Sequence, residues 1–454
     1  MMLMLSEVAR LAGGRLAGAD AEVTRVVTDS RAVQPGDLFV ALKGEHFDAH
    51  DFVAEVLARG AVGALVRQDF ALPGAALVRV DDPQLALGRL AAGWRARFDL
   101  PLVGITGSNG KTTVKEMLTA ILAAHAGREA VLATAGNFNN DIGLPLTLLG
   151  LKPGHRYAVI EMGMNHPGEI RYLTGLARPR VALVNNALRA HLGGGFSGTA
   201  DIARAKSEIF EGLTEDGVAV INADDPHVAI FRAAAAGHRQ FSFGLGEADV
   251  NARDVALSDT AAHFVLCSPQ GDVAVALPAP GEHNVRNALA AAAAALALEV
   301  PLADIAAGLA GFAGVKGRLQ RKRAGNGAVL IDDTYNANPD SMKAGIDVLL
   351  QAAAPCWFVM GDIGELGESA ADLHAEVGAY ARERGLDALL TLGELSRHAA
   401  AAFGNAANHF DTLDALLSYL DSHLPADATV LVKGSRFMRM ERVVEHLTGQ
   451  RQEH

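Results

Sequence analysis

The sequence predicts an α/β protein built from three consecutive units, each with a mainly parallel sheet. Three observations carry this. Short β-branched runs alternate with Ala/Leu-rich helical stretches along the whole chain, the pattern of doubly wound sheets. The 454 residues make about three domains at roughly 150 residues each. A Gly-rich turn ending in Lys111 lies between an apolar strand and a helix, where a mononucleotide-binding unit would place it.

In the first unit, residues 1–99, strands are expected at 23–28, 38–42, 62–66 and 76–80. Helices are expected at 6–11, 51–59 and 83–98. Pro101 disfavours helix just before it, so 98–101 reads as the join to the next unit. The second unit, residues 100–316, opens with a strand at 102–106. It continues with strands at 157–161, 181–185 and 218–222 and a long Ala-rich helix from about Asn284. Ala233–Ala236 also reads as helix. The third unit, residues 317–454, has strands at 328–332, 357–360, 388–392 and 429–432, with helices between.

Composition excludes several classes. Lys and Arg number 40 against 52 Asp and Glu, a net charge of −12, which argues against nucleic acid or anionic membrane as partner. The longest apolar run, Ala288 to Leu298, is far short of the roughly 20 residues a membrane span needs. The N-terminus has neither the basic nor the long apolar segment of a signal peptide. Two cysteines make neither a disulfide framework nor a four-ligand zinc site. These features point to a cytoplasmic protein without membrane insertion. A monomer is expected by default, not from these features.

The sharpest motif is Gly107-Ser108-Asn109-Gly110-Lys111-Thr112-Thr113, after Leu102-Val103-Gly104-Ile105. Glycines let backbone N–H groups face oxyanions, and the following helix adds a partial positive charge. Lys111 can bridge phosphates, and a Thr hydroxyl can ligate Mg²⁺. The spacing is shorter than the strict phosphate-loop pattern, since Ile105 stands where its first glycine would be. No guanine-reading N-K-x-D follows, which favours ATP. Glu161, at a strand's carboxyl end, is placed to hold Mg²⁺. Taken alone, His191 reads as a structural histidine and Lys206 as a solvated helix lysine.

Gly107–Thr113, Glu161, the His191…Lys206 segment and Gly281-Glu282-His283-Asn284 resemble the Mur ligases, which build the peptide stem of bacterial peptidoglycan. Further segments sharpen the likeness: Thr28-Asp29-Ser30-Arg31, Gly36–Gly44, Phe47–Phe52, Gly136–Gly143, Tyr335–Pro339, Gly361–Gly367 and Lys433-Gly434-Ser435-Arg436. Together they cover about residues 6–446. The resemblance implies a small UDP-substrate domain, a central phosphate-loop ATP-binding domain and a C-terminal Rossmann-like domain on the dipeptide side. It implies an ATP-dependent ligase that activates the carboxylate of UDP-N-acetylmuramoyl-tripeptide as an acyl phosphate, which the amine of D-alanyl-D-alanine then attacks.

It also implies residue roles. Lys111, His191 and Lys206 would be catalytic. Thr112 and Glu161 would ligate a first Mg²⁺ and His191 a second, joined by a carbamylated Lys206. The loop Gly107–Thr113 would hold ATP with His283, Asn284, Arg318 and Asp333. Ser30, Arg31, Lys43, Asn137, Asn139, Asn336, Asn338, Lys433, Ser435 and Arg436 would meet substrate. Asn284 fits equally as a helix N-cap and Asn338 as a turn residue before Pro339, and Asp29-Ser30 could simply be a turn. The Gly193–Gly195 loop is about one residue longer than is usual in the family. Two alternatives stand beside this reading. One is a sister ligase adding the third, diamino residue, whose usual Asp-Asn-Pro-Arg segment is missing. The other is a phosphate-loop ATPase without ligation, which leaves the third unit unexplained. Gly314–Arg318 is the flexible stretch available as a hinge, so that residues of the second and third units can meet across a cleft.

Overall fold

The computed structural model describes residues 3–44, 47–189 and 195–449. Three larger sheets follow one another along the chain, one per unit. The first runs Arg15–Ala17, Leu77–Val80, Gly63–Arg67, Asp37–Val40, Arg25–Val27. The expected strand at 23–28 is split into Glu22–Val23, which pairs with Leu3–Met4, and Arg25–Val27 in the main sheet. The helix expected at 51–59 is a 3₁₀ turn, Ala49–Phe52, continued by Val53–Ala58.

The central sheet has six parallel strands in the order Arg239–Phe243, Val218–Asn222, Val181–Val184, Leu102–Thr106, Tyr157–Glu161, Val131–Ala133. Its strand order reverses around Leu102–Thr106, so the loop after that strand opens into the crevice where such sheets bind ligands. The helix Lys111–Ala126 begins directly at the lysine. The Ala-rich helix starts at Glu282 and runs to Ala297, with residues 288–295 completely buried beside the phosphate-loop helix. Gly281 caps it with φ +90°, so the N-cap expected at Asn284 lies three residues earlier. The helix expected across Ala233–Ala236 is Val228–Ala234. A three-stranded antiparallel sheet, Asn251–Leu257, Ala262–Ser268 and Gly271–Leu277, was not anticipated.

The third sheet runs Gln320–Arg323, Val329–Asp332, Thr429–Lys433, Cys356–Gly361, Ala388–Leu392, Ala407–Phe410. Only Gln320–Arg323 is antiparallel, an edge strand directly after the connection from the central unit. That connection carries positive φ at Gly314, Gly317 and Leu319.

The two junctions between units differ. Leu87, Leu90 and Trp94 of the helix Pro83–Arg95 share one buried cluster with Leu148, Leu173 and Ala177 of the central unit. The Trp94 indole N–H donates to the Leu151 carbonyl at 3.2 Å. The buried apolar clusters of the third unit contain no residue of the central sheet. No helix among the described residues is long and apolar enough to cross a membrane.

Candidate active site

The phosphate loop is held by amides from three distant segments. The Asn109 N–H donates to Asn186 Oδ1 (2.8 Å) and the Ser108 N–H to the Asn186 carbonyl (3.0 Å). Asn185 donates to the Asn109 carbonyl (2.9 Å) and to Asn287 Oδ1 (3.1 Å). Asn287 donates to Asn284, which donates to the Pro280 carbonyl. Gly110 has φ +79°, and a Cβ there would lie 2.3 Å from Asn287 Oδ1, so glycine is required twice over. Asn185, Asn186 and Asn287 escaped sequence reading. No local pattern marks Asn185 and Asn186, whose side-chain amides reach partners 76 or more residues away, or the bond from Asn185 to Asn287 across 102 residues.

Lys111 Nζ donates to the Gly107 carbonyl at 2.7 Å. Burial pushes its pKa down, Glu161 opposes this, and Arg318 adds to it. Arg318 donates to Thr112 Oγ1 at 2.9 Å and lies 4.4 Å over the Tyr335 ring, while its Nε is buried without a partner. Glu161 is buried. Its Oε1 accepts from Asn139 (2.7 Å), and its Oε2 has no hydrogen-bond partner among the described residues. Thr134 Oγ1 accepts from the Glu161 N–H, and the Thr134 carbonyl accepts from the buried Lys115 ammonium at 2.7 Å. Lys115 thus braces the strand end that presents Glu161.

Lys206 is 1 % exposed on the helix Thr199–Ser207. Burial first, and the charge of Lys111 second, hold its pKa well below the usual lysine range. A buried lysine without a carboxylate partner is neutral far more readily than a solvated one. His191 lies outside the described residues.

A cavity of about 1470 Å³ joins the phosphate loop, Glu161 and Arg318 to the third unit; Thr112 and the buried Lys206 are not among its lining residues. Ser108 to Lys111, Thr113, Asn137, Asn139, Glu161, His283, Asn284, Arg318, Asp333, Asn336, Asn338, Lys433, Ser435 and Arg436 all line it. His283 is pulled down to about 4 by burial, with Lys433 and Arg286 adding to the effect, so its imidazole is neutral. Burial pushes Asp333 up, opposed by the Lys433 ammonium 2.6 Å away. Lys433 also donates to the Asn336 carbonyl at 2.8 Å. The Arg436 N–H meets Asn336 Oδ1 at 3.4 Å, and Ser435 Oγ accepts from the Gly364 N–H. Asn338 is a true N-cap, with a reciprocal capping box to Ser341. It also exchanges amide bonds with Asn109 of the phosphate loop, at 2.6 and 3.2 Å.

The structure does not bring Ser30, Arg31 and Lys43 into this cavity. Asp29 caps the 3₁₀ turn Ser30–Ala32 and pairs with the exposed Arg31 guanidinium at 2.8 Å, so the turn reading of Asp29-Ser30 is realised. Lys43 is exposed on the adjoining loop of the first sheet.

The chain matches three family models in succession. These are "Mur ligase family, catalytic domain" over residues 22–95, "Mur ligase middle domain" over 105–295 and "Mur ligase, glutamate ligase domain" over 317–436. It is 42% identical over 447 residues to the UDP-N-acetylmuramoyl-tripeptide–D-alanyl-D-alanine ligase of Escherichia coli (strain K12), covering 98% of each chain. Among solved structures it resembles MurF from Acinetobacter baumannii, with 42% identity, TM-score 0.94 and 99% of both chains covered. MurF ligase from Thermotoga maritima in complex with ADP is 28% identical, with TM-score 0.83 over 94% of this chain and 98% of that one.

Proposed function

The chain belongs to the Mur ligase family, and from that premise we propose that it joins D-alanyl-D-alanine to UDP-N-acetylmuramoyl-tripeptide. The reaction consumes ATP and gives UDP-N-acetylmuramoyl-pentapeptide, ADP and phosphate, a step of peptidoglycan precursor synthesis. The observation that carries this reading is the shared cavity. A phosphate loop from one parallel sheet and the strand ends Asp333–Asn338 and Lys433–Arg436 of another face the same space.

The chemistry needs both sides. A carboxylate is a poor electrophile, so ATP converts it to an acyl phosphate. The dipeptide amine then forms the C–N bond as phosphate departs. Lys111 and Arg318 bring positive charge to the transferring phosphoryl group. His283 and Asn284 lie on the nucleotide side. Asn137, Asn139, Asn336, Asn338, Lys433, Ser435 and Arg436 ring the side where the peptides would meet. Arg436 is suited to bidentate capture of a carboxylate. Ser30, Arg31 and Lys43, on a separate rim of the first unit, would hold the uridine diphosphate.

The residues fit Mg²⁺. Glu161 Oε2 is a buried carboxylate oxygen without a partner among the described residues, and Thr112 offers a hydroxyl; both are hard donors. Among the described residues no three His, Cys, Asp or Glu side chains converge, so phosphate oxygens and water would complete the shell. When bound, the ion neutralises phosphate charge. His191 would serve a second ion together with Lys206. The neutral Lys206 amine can add to CO₂, forming an N–C bond and releasing a proton, to give a carbamate whose oxygens suit that ion. Lys206→Ala should lose ligation, and acetate or formate should restore part of it; full activity in the unrescued variant removes this role.

The nucleotide substrates place the reaction in the cytoplasm, and we expect a monomer. The decisive test mixes UDP-muramoyl tripeptides carrying lysine or diaminopimelate with ATP, Mg²⁺ and D-alanyl-D-alanine and weighs the products by mass spectrometry. Phosphate released without both peptide substrates would mark a simple ATPase instead.

A further inference from the structure

The central and third units are joined across the cavity by polar contacts, and two of these lie side by side. One is the Asn109–Asn338 amide exchange. The other is a four-charge cluster around Arg189. Its guanidinium donates to Asp340 Oδ1 at 2.5 Å and to Glu376 Oε2 at 2.9 Å, while its backbone N–H donates to Asp340 Oδ2 at 3.1 Å. Lys343 closes the set on Glu376 Oε1 at 2.5 Å. Two positive and two negative charges balance.

Arg189 is tied to the phosphate loop. The segment before it bonds the loop repeatedly, through the Asn186 contacts and through Ser108 Oγ, which donates to the Leu188 carbonyl and accepts from the Leu188 N–H. Asp340 is equally tied to the other side, two residues past Asn338 in the first turn of the helix Pro339–Leu349. We propose that Arg189 is a positioning residue: it docks the dipeptide-side unit onto the phosphate loop in the register that presents Asn336, Lys433 and Arg436 to Lys111.

The chemistry favours this over a surface ornament. The Arg189, Asp340, Glu376 and Lys343 side chains are only 23–36 % exposed, so solvent screens them incompletely. A planar guanidinium engaging two carboxylates fixes orientation as well as distance, which an ammonium cannot. With no apolar core shared across this junction among the described residues, orientation falls to such contacts. The inference rests on the ligase reading only in naming what the docked unit delivers.

The test uses the full chain with Arg189→Ala, Asp340→Ala, the double variant and Arg189→Lys. We expect each alanine to raise the KM for D-alanyl-D-alanine about tenfold or more. Affinity for a fluorescent ADP analogue should stay unchanged. The double variant should be no worse than the worse single, because one contact is lost once. Arg189→Lys should recover part of the loss, and small-angle scattering of the ligand-free alanine variants should show a larger radius of gyration. An unchanged KM and radius in well-folded variants, or losses that simply add, would overturn the proposal. If the wild type itself makes no pentapeptide, the ligase reading fails. The scattering change and its non-additivity then decide the docking role on their own.

Discussion

The junction between the first and central units and the junction between the central and third units are built from different materials. The first is built on a shared apolar core, with Leu87, Leu90 and Trp94 packed beside Leu148 and Leu173, and hydrogen bonds such as Gln84 to Asp141 and Arg95 to the Ala177 carbonyl are added to that core. The second is polar: Asn109 with Asn338, Arg189 with Asp340 and Glu376, Arg318 with Thr112, and Arg321 with Asp259 at 2.9 Å. An apolar junction pulled apart exposes its whole face to water, and separation resembles unfolding. A polar junction exchanges protein partners for water at modest net cost per bond. The first junction is therefore a fixed platform, and the second is the one that separates at lower cost. The candidate site lies in the second.

Breaking the apolar junction should give the largest effect. Trp94 is 7 % exposed, and Trp94→Ala should cost about 3–5 kcal/mol, lowering the melting of the first and central units together. If calorimetry instead shows those two units melting independently in the wild type, the platform description is wrong.

Lys111→Ala sharpens the contrast from the other side. It removes a charge from the polar cavity without touching either apolar core. The expected result is about 3 kcal/mol lost from ligation at an unchanged melting temperature. Near wild-type turnover in the folded variant would refute the role of Lys111.

A further effect is a pH dependence confined to the polar side. His283 titrates near 6.5 when unfolded and about 4 in the fold, because the folded site holds it neutral. Its contribution to stability is complete above pH 6.5 and is lost as pH falls toward 4, while the unfolded chain takes up the proton first. His283→Gln should flatten the melting temperature against pH in that window. Equal slopes for both proteins would show that His283 is not the group responsible.

The phosphate loop and the parallel strands were legible because their signals are local. Strand, turn, lysine and helix occupy one short stretch, 102–126, and buried parallel strands read as apolar runs. In the hairpin sheet Asn251–Leu257 is largely exposed, with no apolar alternation to betray it, whereas Ala262–Ser268 does alternate, with Ala262, Phe264 and Leu266 buried, and was legible in principle. Asn284 was misplaced as a cap. Asparagine does favour N-caps, but the turn before this helix needs positive φ, which Gly281 supplies more cheaply. Arg189 carried no signal at all. Its partners are 151 and 187 residues further on, and only the packing of the third unit against the central one brings them together. The order and the number of motifs identified the family. The grip between units belongs to side chains that no motif contains.

The helix Glu282–Ala297 has one more consequence. Residues 288–295 are alanine except for Leu289, all completely buried against the phosphate-loop helix. Alanine has no rotamers to rearrange, so this helix works as a stiff gauge block between the sheet and the next helix. Softer packing made of leucine or methionine would absorb a displacement by repacking; here the displacement travels on. The far end of the block carries Asn284 and Asn287, and Asn287 stands where even one methyl on Gly110 would not fit. The fit of the phosphate loop thus depends on a row of methyl groups that do not line the cavity. Ala291→Leu should register as weakened ADP binding well beyond what its loss of stability accounts for.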